Sequence, residues 1–237
     1  MSEKIIRLCI TNLGLYLEDT RYGFLSLPTN QETVQALLAQ IRVDGRYYGE
    51  IEITDVESRI SGLAKCIGAW DSIDALNYLA ALINEMDDGE LEKFEAAIAY
   101  GEYTGSIQDL INLTQNLDCF EYLPGVKDDE DLGRYMVDEL DALQVPEHIK
   151  PYLDYEYYGR DVRLEDGGNF TDRGYVASTR DSFIEHYNGR DIPEEYRVFA
   201  YPTKEAKHSI METLRQYRAS SPPEQDGGER PAACVER

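Results

Sequence analysis

The chain has 237 residues, with 46 Asp and Glu against 23 Lys and Arg, for a formal net charge of -23. A single-sign charge of that size repels nucleic acid, excluding it as a partner, and attracts proteins built to bind nucleic acid. With 42% hydrophobic residues, 18 tyrosines and ordinary glycine and proline contents, the composition can bury a core and excludes a wholly disordered acidic chain.

The opening residues MSEKIIRLCITNLG contain neither a long apolar run nor a small-residue cleavage site, and no later run reaches membrane-spanning length. A cytoplasmic location with no membrane partner is expected. Strand patterns fall at Ile5–Ile10, Tyr22–Leu27 and Tyr47–Thr54, the last alternating Ile51 and Ile53 with Glu50 and Glu52. Between them, Thr29 and Glu32 are spaced as a capping box ahead of the helical stripe Val34, Leu37, Leu38 and Ile41. Residues 1–60 therefore predict a small α+β domain.

Helical spacing then takes over. Ile73, Leu76, Leu79, Ala80, Ile83 and Met86 form one stripe, Leu91, Phe94 and Ile98 a second, and Ile107, Leu110 and Ile111 a third. Residues 61–115 thus predict a helical domain with Asp71 and Ser106 as N-caps. Trp70, the only tryptophan, is placed to staple onto the first of these helices, and Asp87, Asp88 and Gly89 to turn between the first two. Residues 116–178 return to α+β. They carry strands near Cys119–Leu123, Val162–Leu164 and Gly174–Ala177, an acidic amphipathic helix from about Asp129 to Leu143, and a short helix after Pro146. Residues 179–237 form a C-terminal extension with a strand pattern at Tyr196–Ala200, a helical one at Lys204–Arg218, and a disordered tail from about residue 220.

Charge is unevenly spread over these segments. Residues 1–60 hold 9 acids and 6 bases, 61–115 hold 10 and 2, 116–178 hold 16 and 6, and 179–237 hold 11 and 9. The acid is thus a property of the second and third segments, which pattern as folded domains, and not of the tail.

Little else points to chemistry. Close carboxylate pairs, as general acid/base or glycosidase chemistry would use, arise by chance among 46 acids. His148, His186 and His208 lack partners at metal or triad spacing, and no HExxH, GxSxG or phosphate-cradling glycine loop occurs. The run Asp128–Gly133, DDEDLG, fails the calcium-loop register. Cys9, Cys66, Cys119 and Cys234 form no CxxC pair and read as free, mostly buried thiols. No catalytic residue, metal or cofactor is expected.

Several stretches resemble the ArdA family of antirestriction proteins, carried by conjugative plasmids and transposons. IIRLCITNLGLY, with Asn12, Leu13, Gly14 and Tyr16, resembles the family's opening strand and turn, and ITDVES at Ile53–Ser58 follows it. DSIDALNYLAALINEMDDGELEKFEA resembles its helical segment, with Leu76, Asn77 and Leu79 in the core. Val145, Pro146, Glu147, Tyr152, Leu153 and Asp154 match the stretch called the antirestriction motif, and Tyr158, Gly159, Arg160 and Asp161 match its YGRD sequence. The likeness spans about residues 4–178.

The resemblance implies a non-enzymatic protein of three small domains in an elongated, curved rod, dimerising near the motif to copy bent B-DNA. Its targets would be the modification and specificity subunits of Type I restriction-modification enzymes. On this reading the mimic surface comprises Glu85, Asp87, Asp88, Glu90, Glu92 and Glu95, then Asp128, Asp129, Glu130, Asp131, Asp138, Glu139, Asp141, Glu147, Asp154, Glu156 and Asp161. Each also has a plainer reading as a helix cap or a solvated helix face. Tyr152, Tyr155, Tyr157 and Tyr158 are expected in the core or at a dimer contact, and Arg160 beside a carboxylate. The near-neutral extension is a poor phosphate mimic. The alternatives are a DNA mimic aimed at a transcriptional repressor or nucleoid protein, and, more remotely, a carboxylate-dependent hydrolase.

Overall fold

The computed structural model describes residues 4–14, 21–43, 45 and 51–202, so the expected helix at Lys204–Arg218, the tail, Tyr16, His208 and Cys234 lie outside the described residues. Strands β1 (Ile6–Asn12), β2 (Arg21–Leu27) and β3 (Ile51–Ser58) form an antiparallel sheet in the order β2-β1-β3. Alternation aims Leu8, Ile10, Leu25, Leu27 and Ile53 at one buried face. On the other face Arg7 lies 4.1 Å over the Phe24 ring and bonds Glu57 at 2.9 Å.

Helix α1 (Gln31–Gln40) covers the buried face with Val34, Leu37 and Leu38. Its cap is Asn30, whose Oδ1 accepts from Thr33 N at 2.9 Å, and not the expected Thr29–Glu32 box. Thr29 N is instead committed to Asn77 Oδ1, 2.8 Å away.

Helices α2 (Ile73–Glu85), α3 (Asp88–Tyr100) and α4 (Ile107–Leu113) follow, capped by Ser72, Asp87 and Ser106. Ile73, Leu76, Leu79 and Ile83 of α2 are buried, each contributing about 2 kcal/mol of apolar transfer. Asp71 is not the cap, because its carboxylate already accepts from Gly68 N at 2.6 Å. Asp87 closes a full capping box with Glu90, which places Asp88 and Gly89 in the first turn of α3 and not in the connection. Trp70 is not a staple either: it is 66% exposed. The bond from Ile53 N to Ala69 O, 2.9 Å, holds its segment along β3, where the indole lines a shallow cleft with Ile51, Ile53 and Phe199.

A second antiparallel sheet is ordered β4-β6-β5, from β4 (Phe120–Pro124), β5 (Asn169–Phe170) and β6 (Gly174–Ser178). Phe120 and Val176 on one face join the core of the first sheet and the helices. Leu123, Tyr175 and Ala177 on the other join a smaller core with Leu132 of α5 (Asp129–Arg134), which α6 (Tyr155–Asp166) packs against. Helix α5 continues as one π-helical turn, Tyr135–Glu139, and Asp141 adopts a left-handed conformation. The helix expected to reach Leu143 therefore ends early. The expected helix after Pro146 is a single 3-10 turn at Lys150–Tyr152. The strand expected at Val162–Leu164 is wrong: these residues lie inside α6, which Asp154 caps at its start and Gly167, at φ +72°, closes at its end.

Residues 179–202 run back over the helices without forming the strand expected at Tyr196–Ala200. Their backbone is satisfied by side chains of the helices instead of by a neighbouring strand. Asn112 donates to Tyr187 O at 2.9 Å and accepts from Tyr187 N at 2.8 Å. Asn116 does the same to Ile184, at 2.9 and 2.8 Å. Asn77 donates to Tyr196 O at 3.1 Å, and Asp74 accepts from both Val198 N and Phe199 N at 2.7 Å. Tyr187 and Val198 are buried, so this segment completes the main core. Among the described residues the fold is mixed α+β, with six α-helices and two small antiparallel sheets, and no helix is long and apolar enough to cross a membrane.

Candidate acidic interface

The densest acid sits on α5 and α6, and glycine makes their close crossing possible. A Cβ on Gly133 would lie 2.0 Å from Tyr155 O, and one on Gly159 would lie 1.8 Å from Asp129 O. The glycine of the YGRD sequence is therefore a packing requirement, letting two backbones touch. Arg163 reaches across the crossing and donates from Nε and Nη2 to the two carboxylate oxygens of Asp129, at 2.7 and 3.1 Å. That bidentate bond holds the Asp129 carboxyl below its ordinary value, a pull that outweighs desolvation in the other direction.

The first turn of α5 gathers four carboxylates for a physical reason. Asp128 Oδ1 accepts from Asp131 N at 2.9 Å, and Asp131 Oδ2 accepts from Lys127 N at 3.2 Å. Asp129 and Glu130 complete a turn whose unpaired amides favour negative charge. Asp154 repeats the device on α6, accepting from Tyr157 N at 3.0 Å. Capping and surface display are compatible here, since Asp87, Asp128 and Asp154 all cap a helix and remain exposed.

Of the seventeen acids predicted for the surface, fourteen are exposed: Glu85, Asp87, Asp88, Glu90, Glu92, Asp128, Glu130, Asp138, Glu139, Asp141, Glu147, Asp154, Glu156 and Asp161. Asp129 and Asp131 are half-buried. Glu95 does not belong to the surface: it is 5% exposed, because its helical position faces the core side of α3. Bases offset part of the array. Arg134 pairs with Glu130 at 2.7 Å, and Lys150 with Asp138 and Glu147 at 3.1 and 2.9 Å, which raises the Lys150 ammonium above its ordinary value. Among the described residues, the other exposed acids of the set have no ion pair within 4.0 Å. Glu121 and Glu165 are also exposed in this region, although no motif singled them out. Alternation gives no signal for Glu121, which shares its face of β4 with buried Leu123 and is exposed at the edge of that smaller core.

The tyrosines divide. Tyr155 is buried and carries Arg134 4.6 Å over its ring, whereas Tyr152 is 86% and Tyr157 57% exposed. Arg160 lies 4.9 Å over the Tyr157 ring and pairs with no carboxylate among the described residues, so its expected ion pair is replaced by a cation–π contact. Around the motif, Val145 and Leu153 are half-buried, Pro146, Glu147, Tyr152 and Asp154 exposed, and Leu140 and Ile149 add apolar surface. Among the described residues no group of three His, Cys, Asp or Glu is arranged to hold a metal, and Cys9, Cys66 and Cys119 are free thiols.

A model of the family described as "Antirestriction protein (ArdA)" matches residues 8–177. The chain belongs to the ArdA family. The match includes both sheets except Ile6, Arg7 and Ser178 at their ends, α1 to α6 and all seventeen acids, and stops before the segment 179–202 that packs onto α2 and α4. ArdA membership carries an antirestriction function and an interaction with restriction enzymes, and ArdA is not a known enzyme family. No curated protein matches the chain.

Proposed function

We propose that the protein is a non-enzymatic mimic of B-DNA that occupies the DNA groove of Type I restriction-modification enzymes, on their modification and specificity subunits. Incoming mobile DNA is thereby spared cleavage. No cofactor, metal or catalytic residue takes part, and the protein works in the cytoplasm. The observation that carries this reading is the display of fourteen exposed carboxylates on α2, α3, α5, α6 and the segment joining the last two. Duplex DNA presents two charges per base pair, so 46 acids would match the phosphates of roughly 23 base pairs per chain if all faced outward, and the net charge of -23 matches roughly half that.

A homodimer, with the three units of each chain end to end, doubles that length. Its contact is proposed at the motif, where Tyr152, Ile149 and Leu140 expose apolar surface beside Val145, Pro146, Glu147, Leu153 and Asp154. Tyrosine suits such a contact, having an apolar body and a polar tip. The test is displacement of duplex DNA from a purified Type I methyltransferase core, repeated across salt concentrations. Displacement at micromolar protein and low salt, weakening as salt rises, is the expected result. Failure to displace, with binding to a repressor or nucleoid protein instead, would transfer the mimic to that target.

A further inference from the structure

Glu95 leaves the acidic surface and takes up a different position in the molecule. One carboxylate oxygen accepts from Ser61 N at 2.9 Å and the other from Arg173 Nη2 at 2.5 Å. Ser61 stands in the turn that leaves β3, and Arg173 in the turn that joins β5 to β6. Arg173 is itself fixed, since its carbonyl accepts from Gly125 N at 3.2 Å and from Tyr122 Oη at 3.1 Å. One buried carboxylate therefore ties the exit of the first sheet, the middle of α3 and the hairpin of the second sheet.

Beyond this pair the contact between α3 and the second sheet is mainly apolar, with Tyr100 edge-on to Phe120 at 6.0 Å and Val176 fully buried. A further polar tie lies at the far end of α3, where Tyr100 Oη donates to Gly167 O at 3.2 Å. Apolar burial is non-directional and fixes distance better than angle, whereas a charge-assisted bond between held atoms adds a directional constraint on register. This contact separates the two acidic groups. Glu85, Asp87, Asp88, Glu90 and Glu92 ride on α2 and α3, while Asp128 to Asp161 ride on the helices packed against the far face of the second sheet.

We propose that Glu95 and Arg173 are a positioning pair that sets the spacing between these two acidic groups. The inference rests on the DNA-mimic reading, in which that spacing must match a duplex carrying one charge per about 1.7 Å of axis. Glu95 then contributes through geometry and not as a phosphate.

The test uses the full chain with Glu95→Gln, Arg173→Gln and the double variant. Glu95→Gln keeps an acceptor for Ser61 N, and the milder Arg173→Lys keeps the charge but loses the rigid guanidinium. Spin labels carried by unnatural residues at exposed Ala99 on α3 and Leu164 on α6, diluted with unlabelled protein, report the distance between the two bodies. Each single variant is expected to broaden that distance and to weaken displacement of duplex DNA about fivefold, with the double variant no worse than either single. Arg173→Lys is expected between them and the wild type. Unchanged distances, or losses that add in the double variant as for an isolated charge, overturn the proposal. A wild type that displaces no DNA sinks the mimic reading instead, and the distance measurement then judges the pair alone.

Discussion

Asp129 shows how one acid can be both legible and misread. The sequence marks it as the start of an acidic helix, and it is, but Arg163, 34 positions later, half-neutralises it across the Gly133–Gly159 crossing. Because its folded carboxyl titrates below the ordinary value of 3.8, the stability it contributes is present above that value and lost as pH falls through the lower folded one. Asp129→Asn should therefore lower the unfolding midpoint at pH 7, and the gap between variant and wild type should narrow as pH falls below the ordinary carboxylate value, followed by thermal melts. Glu95 is the harder case. It falls at the fourth position after Leu91 and three before Ile98, on the apolar face of the stripe, but the partners that let a carboxylate sit there come from positions 61 and 173 and are not visible in the local sequence.

At the scale of elements, periodicity located α1 to α4 and four of the six strands closely, since each buries one face, while the strand expected at Tyr47–Thr54 meets β3 only over residues 51–54, its start lying outside the described residues. It failed where partners were distant or unusual. Val162–Leu164 reads equally with period 2 or 3.6, and the flanking cap and left-handed glycine decide for helix. Residues 196–200 read as a strand but find helix side chains instead of a strand partner. Asn112→Ala removes both bonds to Tyr187 and orphans two buried backbone groups, so it should cost about 2–4 kcal/mol in chemical denaturation. Gly159→Ala forces a methyl into Asp129 O and should cost at least about 3 kcal/mol. Its damage is expected first in α5 and α6, whose amides should lose hydrogen-exchange protection before those of α2.

For the whole molecule, charge was the property most fully visible in the sequence. The segment counts located the acid, and fourteen of the seventeen chosen residues are exposed on the fold that the ArdA match covers. Sequence could not show which acids are partly offset, because Lys150 and Arg134 select Asp138, Glu147 and Glu130 by geometry. Nor could it show that residues 179–202 complete the core, because asparagine amides carry no periodic signal.

The central claim is that many carboxylates act together in place of phosphates. A graded series replacing Glu85, Asp88, Glu92, Asp141, Glu156 and Asp161 by Gln or Asn, one to six at a time, tests it by displacement of labelled duplex from a Type I methyltransferase core. None of these six caps a helix or pairs with a base among the described residues, so folding should persist. Displacement should fall steadily with each charge removed, by about 0.5 kcal/mol per residue and largely independent of order. Abolition by any single replacement, or no loss after all six, would contradict the claim.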